Sequence, residues 1–512
     1  MSGGSGDGAG KPLMLGVNNP FAENPSMMTL AQYQDTCIPV SMEFAKSKMH
    51  WIIAAIFLVA DMVGGGVVVM PVAFKQSGMM MGCLFMVVIC VIFEYTGWEL
   101  GQVWVIMQER INRWFSVSLN QGNPFPEVAK KSIGKMAQRL TSAAILITLF
   151  GISVVYLLLS ANIIHYFLYD YLYIPISLCG TIVVLALLIS PFTLLKSPGD
   201  FWIVVVFAMV TTVLSVAMII YGIFLDHGAC APQAKYSGGD SGGVLFAMGT
   251  FLFAFSGHYV FPTIVNDMRH PKKFSYSIAW GFLVVLLLYM PLSVYAYFVY
   301  GDSMEKSVIY SVQTRELQFG ANLMIAAHCI LTLVIVINPV NQEVEEYFNI
   351  PHKFGIGRVL VRMTILLFVL FTGLTMPDFG PVMNLVGSST IPLGCVVMPA
   401  LFYLWINAAT EEQWGKGVIP SIKQVYQRTP KIVFWLNIFV MGVALVGGAV
   451  GSYKAVIAMI ETEFSAPCYF RGSELLISKG NTTIIHMVQT CCGWAKNISS
   501  KGTPDLCGEI PL

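Results

Sequence analysis

Long runs of apolar residues constrain this chain more than any other feature. Each run is about twenty residues, the length that an α-helix needs to cross a hydrocarbon core about 30 Å thick. Of the 512 residues 56% are hydrophobic and 11% charged, far from the roughly 25% charged residues of soluble domains. Because backbone groups in lipid must be paired within the chain, the runs should be helices. The sequence therefore predicts an all-α membrane protein, and the net charge of +1 gives no support for nucleic acid binding.

Eleven runs qualify as predicted spans. They cover residues 51–74, 79–107, 140–168, 174–195, 201–225, 243–265, 276–300, 320–341, 358–376, 381–407 and 432–459. Three regions follow: a cytosolic N-terminal tail over 1–50, partly disordered; a membrane domain over 51–460; and a C-terminal tail over 461–512. No signal peptide precedes the first span, so that span should act as the insertion signal.

Lysine and arginine indicate the orientation. With a cytosolic N-terminus, the inside segments carry twenty of these residues when Arg358 and Arg362 at the start of the ninth span are included, and the outside loops between spans carry four. An odd number of spans then places the C-terminal tail outside the cytosol. We therefore expect a multi-pass protein of the plasma membrane or an organelle membrane, with an extracellular or luminal C-terminus.

The C-terminal tail has the composition of an extracytosolic segment. It contains two glycosylation sequons, at Asn481 and Asn497. Four cysteines within some fifty residues are typical of disulfides in an oxidising compartment. These disulfide candidates are Cys468, Cys491, Cys492 and Cys507. Their pairing cannot be deduced from the sequence.

The first predicted span contains signals for a helix break. Gly64, Gly65 and Gly66 lie in its middle, and Pro71 follows five residues later. Glycine unwinds at the lowest cost and proline removes a helix hydrogen bond. Close packing of helices through small residues is the alternative interpretation, but the triplet followed by proline favours unwinding.

The sixth span repeats the pattern, with Gly257 followed by Pro262. Gly64 and Gly257 are 193 residues, or five spans, apart. Corresponding breaks in two halves indicate an inverted 5+5 repeat, as in secondary transporters that bind substrate where the helices break. Half-helix N-termini attract a carboxylate and exposed carbonyls attract an ammonium group. An amino acid zwitterion has both groups.

Several segments resemble the amino acid/auxin permease family, and look closest to its vesicular inhibitory amino acid and plant vacuolar branch. The similarity lies in Gly64–Gly66 with Met70–Gly78, Phe253–Ile264 with Met268–Phe274, Tyr300–Ser303, Asn338–Phe348, and Val386–Ser389 with Pro399–Tyr403. It covers roughly residues 50–460. The resemblance implies eleven spans, a leucine-transporter-like fold with discontinuous helices 1 and 6, and proton- or sodium-coupled amino acid transport. Sodium-coupled members resemble one another in having an asparagine at the position of Ala60. This chain departs from that pattern, which favours protons over sodium as the coupling ion.

The breaks define the candidate substrate site. Its residues are expected to be Gly64, Gly65, Gly66, Phe253, Phe255, Ser256, Gly257 and, from the third span, Tyr156. Aromatic packing is the alternative reading for the two phenylalanines.

Asp61 and His258 are the candidates for proton coupling. A carboxylate at membrane depth is costly, so Asp61 either carries a proton or pairs with donors that hold helices together. The ring of His258 either exchanges a proton or orients the unwound loop as a neutral group. His328 in the eighth span is a weaker candidate.

Other acidic residues lie outside the breaks. Glu94 and Glu99 are about 140° apart on one helix, so they do not share a face, and one of them is expected to pair structurally. Glu343, Glu345 and Glu346 follow the eighth span and are expected to form a solvated helix end.

The combined interpretation is a secondary active transporter of small or neutral amino acids. The candidate substrates include γ-aminobutyrate and glycine. A proton gradient would drive it, and no cofactor or metal is expected. Its partners are the amino acid and the lipid bilayer. The sequence contains no Walker A motif, nucleophile elbow or paired CxxC motif, so neither ATP-driven transport nor an enzyme is expected. An amino acid sensor without net transport remains open. A membrane-embedded acyltransferase is a third alternative. The paired breaks argue against it, because such an enzyme would not need them.

Overall fold

The computed structural model describes residues 49–114, 124–170, 172–194, 202–239, 241–351, 355–461 and 467–470, and this part of the chain is a bundle of helices. The first nine helices are α1 (Trp51–Met62), α2 (Gly66–Ser77), α3 (Met79–Trp114), α4 (Pro124–Ser132), α5 (Lys135–Asp170), α6 (Leu178–Thr193), α7 (Trp202–Cys230), α8 (Ser241–Ala254) and α9 (Phe261–Asp267). The others are α10 (Phe274–Tyr300), α11 (Val308–Ser311), α12 (Arg315–Tyr347), α13 (Ile356–Thr375), α14 (Phe379–Ser389), α15 (Met398–Ala408), α16 (Glu411–Gly415), α17 (Ile422–Arg428) and α18 (Lys431–Glu461).

The long helices follow the predicted spans. Within the described residues nine helical segments, with α8 and α9 taken together and α14 and α15 taken together, are long and apolar enough to cross a membrane. The bent pair α1/α2 makes a tenth. Helix α6 lies where the fourth span is predicted, but it has 16 residues and is shorter than the roughly 20 that a straight crossing needs. The count of eleven therefore remains a prediction.

Helices α5 and α12 form the centre of the bundle. Helix α12 packs along both α5 and α7, while α8 packs against α2 and α14. Glycines allow the closest of these approaches: a Cβ on Gly249 of α8 would lie 2.5 Å from the Asn384 carbonyl oxygen of α14. The Thr250 hydroxyl beside it donates to Asn384 Oδ1 at 2.7 Å.

Hydrogen bonds to the Asp226 side chain join the ends of three helices. Asp226 Oδ2 accepts from the Tyr300 hydroxyl at 2.6 Å and from the Gln313 backbone N–H at 2.9 Å. These contacts fix the end of α7 against the end of α10 and the segment before α12.

A buried ion cluster corrects one expectation from the sequence. Glu345 is not part of a solvated helix end: it is fully buried and pairs with Arg358 at 3.3 Å and Arg362 at 2.5 Å. Arg362 also donates to the Thr193 carbonyl at 2.7 Å, and Glu343 accepts from Ser142. The cluster joins the ends of α6, α12 and α13. Loss of one partner from such a pair costs about 3–5 kcal/mol, because the other charge stays buried.

A disulfide lies at the opposite end of α6. It joins Cys179, in the first turn of α6, to Cys468, 289 residues away. Tyr469 stacks on Phe371 of α13, with ring centroids 6.0 Å apart. Helix α6 is thus held at both ends. Cys179 is not among the disulfide candidates from the sequence, and Cys491, Cys492, Cys507, Asn481 and Asn497 lie outside the described residues.

The pairing of Cys179 with Cys468 can be tested by counting thiols. In Cys468→Ser, unreduced and denatured protein should bind one more maleimide-polyethylene glycol group than wild type, because Cys179 is released. The double variant Cys179→Ser/Cys468→Ser should return to the wild-type number. Cys83→Ser, which removes a free thiol, should bind one group fewer. A double variant that keeps the additional label would contradict this pairing.

Candidate functional site at the two helix breaks

The first break separates α1 from α2. Residues 63–65 are not helical, and the two half-helices meet at 59°. The Val63 N–H still bonds to the Val59 carbonyl at 2.8 Å, and the Val67 N–H bonds to the Gly64 carbonyl at 3.1 Å. The predicted unwinding at the glycine triplet is therefore present, and it leaves a helix C-terminus facing a helix N-terminus.

The second break separates α8 from α9. Phe255, Ser256 and Gly257 lie outside any helix, and a single 3₁₀ turn over His258–Val260 leads into α9. The Ser256 hydroxyl donates to the Phe253 carbonyl at 2.7 Å, which satisfies one of the acceptors at the end of α8.

The two breaks lie directly against each other. A Cβ placed on Gly257 would lie 2.9 Å from Asp61 Oδ2 and 3.0 Å from the Met62 side chain. A Cβ on Gly66 would lie 3.1 Å from Ala254 Cβ. Contacts of this kind need glycine on at least one side. The candidate site residues at the two breaks are therefore brought together, although they are 193 residues apart in the sequence.

Tyr289 of α10 pairs with the exposed backbone of the first break. Its hydroxyl donates to the Met62 carbonyl at 2.9 Å, an oxygen that has no helical partner once α1 ends. Phe255 packs edge-on to this tyrosine, with centroids 5.8 Å apart, and stacks on Phe282. Phe255 therefore forms a wall between the second break and α10.

Gly64 is enclosed by two side chains from other helices. A Cβ on it would lie 2.8 Å from the Tyr156 hydroxyl of α5 and 2.6 Å from His328 Nε2 of α12. The Tyr156 hydroxyl also interacts with the Gly65 backbone. Tyr156 therefore lies at the break, as the sequence predicts, whereas His328 and Tyr289 are not among the predicted site residues.

His328 connects the first break to α7. Its Nδ1 lies 3.1 Å from the Ala208 carbonyl and 2.8 Å from the Thr212 hydroxyl, and its Nε2 lies 3.1 Å from the Thr332 hydroxyl. A carbonyl only accepts, so Nδ1 carries a hydrogen, and Nε2 faces the break. The ring is fully buried.

His258 faces away from the cleft between the breaks. Its Nε2 lies 3.1 Å from both the Phe93 carbonyl and the Thr96 hydroxyl of α3. The ring stacks on Phe261, with centroids 4.6 Å apart, and is fully buried. This geometry matches the neutral, loop-orienting alternative for His258.

Asp61 and Ser256 are the half-buried polar side chains of the two breaks, while the residues around them are buried. They provide a carboxylate and a hydroxyl beside exposed backbone. Phe253, in contrast, packs against Gly387 of α14 and lies behind the site. The contact between the breaks thus brings together hydrogen-bond donors and acceptors, one acid and aromatic side chains.

The close packing around Gly64 predicts that Gly64→Ala lowers stability. Its Cβ would overlap Tyr156 and His328, and overpacking of this kind costs about 1–3 kcal/mol. The thermal unfolding midpoint of the purified protein should fall. Gly442→Ala is the matched control, because nothing lies within 4 Å of that Cβ. Equal midpoints for the two variants would show that the break has more room than described.

Comparison with known proteins gives a consistent result. Residues 47–448 match the family model for transmembrane amino acid transporter proteins. The chain is similar to amino acid transporter AVT1D of Arabidopsis thaliana, with 24% identity over 77% of this chain and 67% of that protein. It is also similar to auxin transporter-like protein 3 of Medicago truncatula, with 24% identity over 76% of this chain and 83% of that protein. It spans only 37% of the length of another relative, amino acid transporter AVT1B of A. thaliana.

Two solved structures share the fold. MhsT in complex with L-phenylalanine superposes with a TM-score of 0.54 at 12% identity, over 80% of this chain and all of that one. The manganese transporter of Eremococcus coleocola gives a TM-score of 0.51 at 11% identity, over 81% of this chain and 88% of that one. These likenesses show a leucine-transporter-like helical fold. The family model covers most of the chain and identifies it as a member of the transmembrane amino acid transporter protein family, a family of transporters and not of enzymes.

Proposed function

We propose that this chain carries small or neutral amino acids across a membrane by alternating access around its two helix breaks, driven by a proton gradient. The observation that carries the proposal is the contact between the breaks, where Asp61 meets Gly257 and Gly66 meets Ala254. We also propose that all eleven predicted spans cross the membrane as two halves of five plus one. The N-terminus would then be cytosolic and the C-terminal tail extracellular or luminal.

The arrangement of backbone ends supports an amino acid as substrate. The start of α2 presents N–H groups of the kind that bind a carboxylate. The ends of α1 and α8 present carbonyls on the other side of the cleft, which attract an ammonium group. The relatives are named for amino acids and for auxin, and both ligands carry a carboxylate.

The space at Gly64 supports a small substrate. A Cβ on Gly64 would already lie 2.8 Å from the Tyr156 hydroxyl and 2.6 Å from His328 Nε2, so there is little room for a large substrate side chain on that side. A short amino acid such as glycine or γ-aminobutyrate fits this restriction better than an aromatic one.

Asp61 is the proposed proton carrier. It lies at the contact between the breaks and is half-buried, so a proton on it would change the charge at the point where the half-helices meet. His258 would have a positioning role, because its Nε2 is bonded to α3. Ala60, at the position where sodium-coupled members have asparagine, supports protons over sodium.

Asp61→Asn should reduce proton-driven uptake at least tenfold, because the amide cannot release a proton. The measurement is uptake of radiolabelled amino acids into proteoliposomes with an imposed pH gradient, with and without sodium. A screen over glycine, γ-aminobutyrate, alanine and larger amino acids identifies the substrate class first. Glu94→Gln, which removes another half-buried carboxyl, is the control and should keep wild-type uptake.

Three outcomes would contradict the proposal at different points. Uptake that needs sodium and ignores the pH gradient would overturn proton coupling. Asp61→Asn with full pH stimulation would overturn the role of Asp61. Binding of amino acids without uptake under any gradient would overturn transport and identify a sensor.

A further inference from the structure

Glu99 is a second membrane-embedded carboxyl, outside the site at the breaks. It lies in α3, is completely buried and reaches a side chain of α18. Asn437 of α18, also completely buried, donates from Nδ2 to Glu99 Oε1 at 2.8 Å. The carboxyl therefore belongs to a contact between two helices and not to the breaks.

The groups around Glu99 carry no positive charge. The titratable neighbours are Tyr95, one turn earlier on α3, and Tyr403 of α15. From α18 it meets the Asn437 amide, whose nitrogen also lies 3.0 Å from the Tyr95 hydroxyl and 3.1 Å from the Val433 carbonyl. Within the described residues no lysine, arginine or histidine forms an ion pair with Glu99.

Two buried oxygens at this contact lack hydrogen-bond partners. Among the described residues, neither Glu99 Oε2 nor Asn437 Oδ1 has a donor. Both are acceptors when the acid is ionised, so neither can satisfy the other. One hydrogen on Glu99 changes this, because an acid O–H donates to an amide oxygen while the amide N–H donates to the other acid oxygen.

Keeping Glu99 ionised at this contact would cost free energy. A carboxylate without a cation in a low-dielectric interior loses its hydration with little in return. The buried Glu345 shows how this chain holds an ionised carboxylate, with two arginines against it. Glu99 has tyrosines and an amide in the corresponding positions, and none of these groups brings a positive charge.

We propose that Glu99 is a proton-binding site that, when occupied, forms a neutral acid–amide pair with Asn437 and fastens α3 to α18. Helix α3 also holds His258 of the second break through Phe93 and Thr96. A proton on Glu99 would therefore stabilise the position of the helix that supports this break. The inference does not depend on the identity of any transported substrate or on proton coupling at Asp61.

Infrared spectroscopy of the full chain in lipid bilayers tests this directly. At neutral pH the wild type should show a carbonyl band of a protonated carboxyl that shifts in D₂O. The band should disappear in Glu99→Gln, whose amide matches the neutral acid in shape, and should remain in Glu94→Gln. Loss of an ionised carboxylate band in Glu99→Gln, with the protonated band unchanged, would overturn the proposal.

Asn437→Leu gives a second measurement that does not need the Glu99→Gln protein to fold. Removal of the amide takes a hydrogen bond from the acid, so the protonated carbonyl band should move to higher frequency. A spectrum with the same protonated band as wild type would overturn the pairing of Glu99 with Asn437. Both experiments read the proton itself, so they remain decisive even where no transport activity is found.

Discussion

Backbone groups in the membrane interior must find partners within the chain, and the two breaks are where this requirement is hardest to meet. The chain meets it in part with side chains from intact helices: Tyr289 bonds to the Met62 carbonyl. It also meets it within the break itself, since Ser256 bonds to the end of α8. Because Tyr289 comes from a neighbouring helix, the packing of the bundle around the first break helps to decide whether it can remain unwound.

The two buried histidines show how such support is divided. His258 belongs to a break and reaches outwards to α3, whereas His328 belongs to an intact helix and reaches inwards to Gly64. Each has a carbonyl that fixes the hydrogen on one ring nitrogen. Both rings are therefore oriented hydrogen-bonding groups that connect a break to the intact helices around it. Proton transfer at the breaks is the role proposed for Asp61, the half-buried acid.

The sequence was most informative where composition alone determines the backbone. The glycine triplet at Gly64–Gly66 and the Gly257/Pro262 pair predicted both breaks, because few other residues tolerate unwinding in a membrane. The sequence could not identify the side chains that pack against the breaks, since a span that is apolar on all sides does not reveal how its helix is rotated. The sequence therefore did not place His328 against Gly64, although it is a satisfied core histidine as the alternative for a lone His has it. Glu345 looked solvated because Arg358 and Arg362 approach it only after the chain has turned back.

Helix α6 has a consequence for the membrane around it. Its 16 residues span about 24 Å at 1.5 Å per residue, less than the roughly 30 Å of hydrocarbon. A free helix of this length could slide or rotate, but α6 is held at one end by Cys468 and at the other by Arg362. Its outward side chains, among them Leu187 and Leu188, are exposed. If α6 crosses the membrane as the proposed fourth span, the lipid must adapt to it, and the bilayer should be thinner along this flank than elsewhere around the protein.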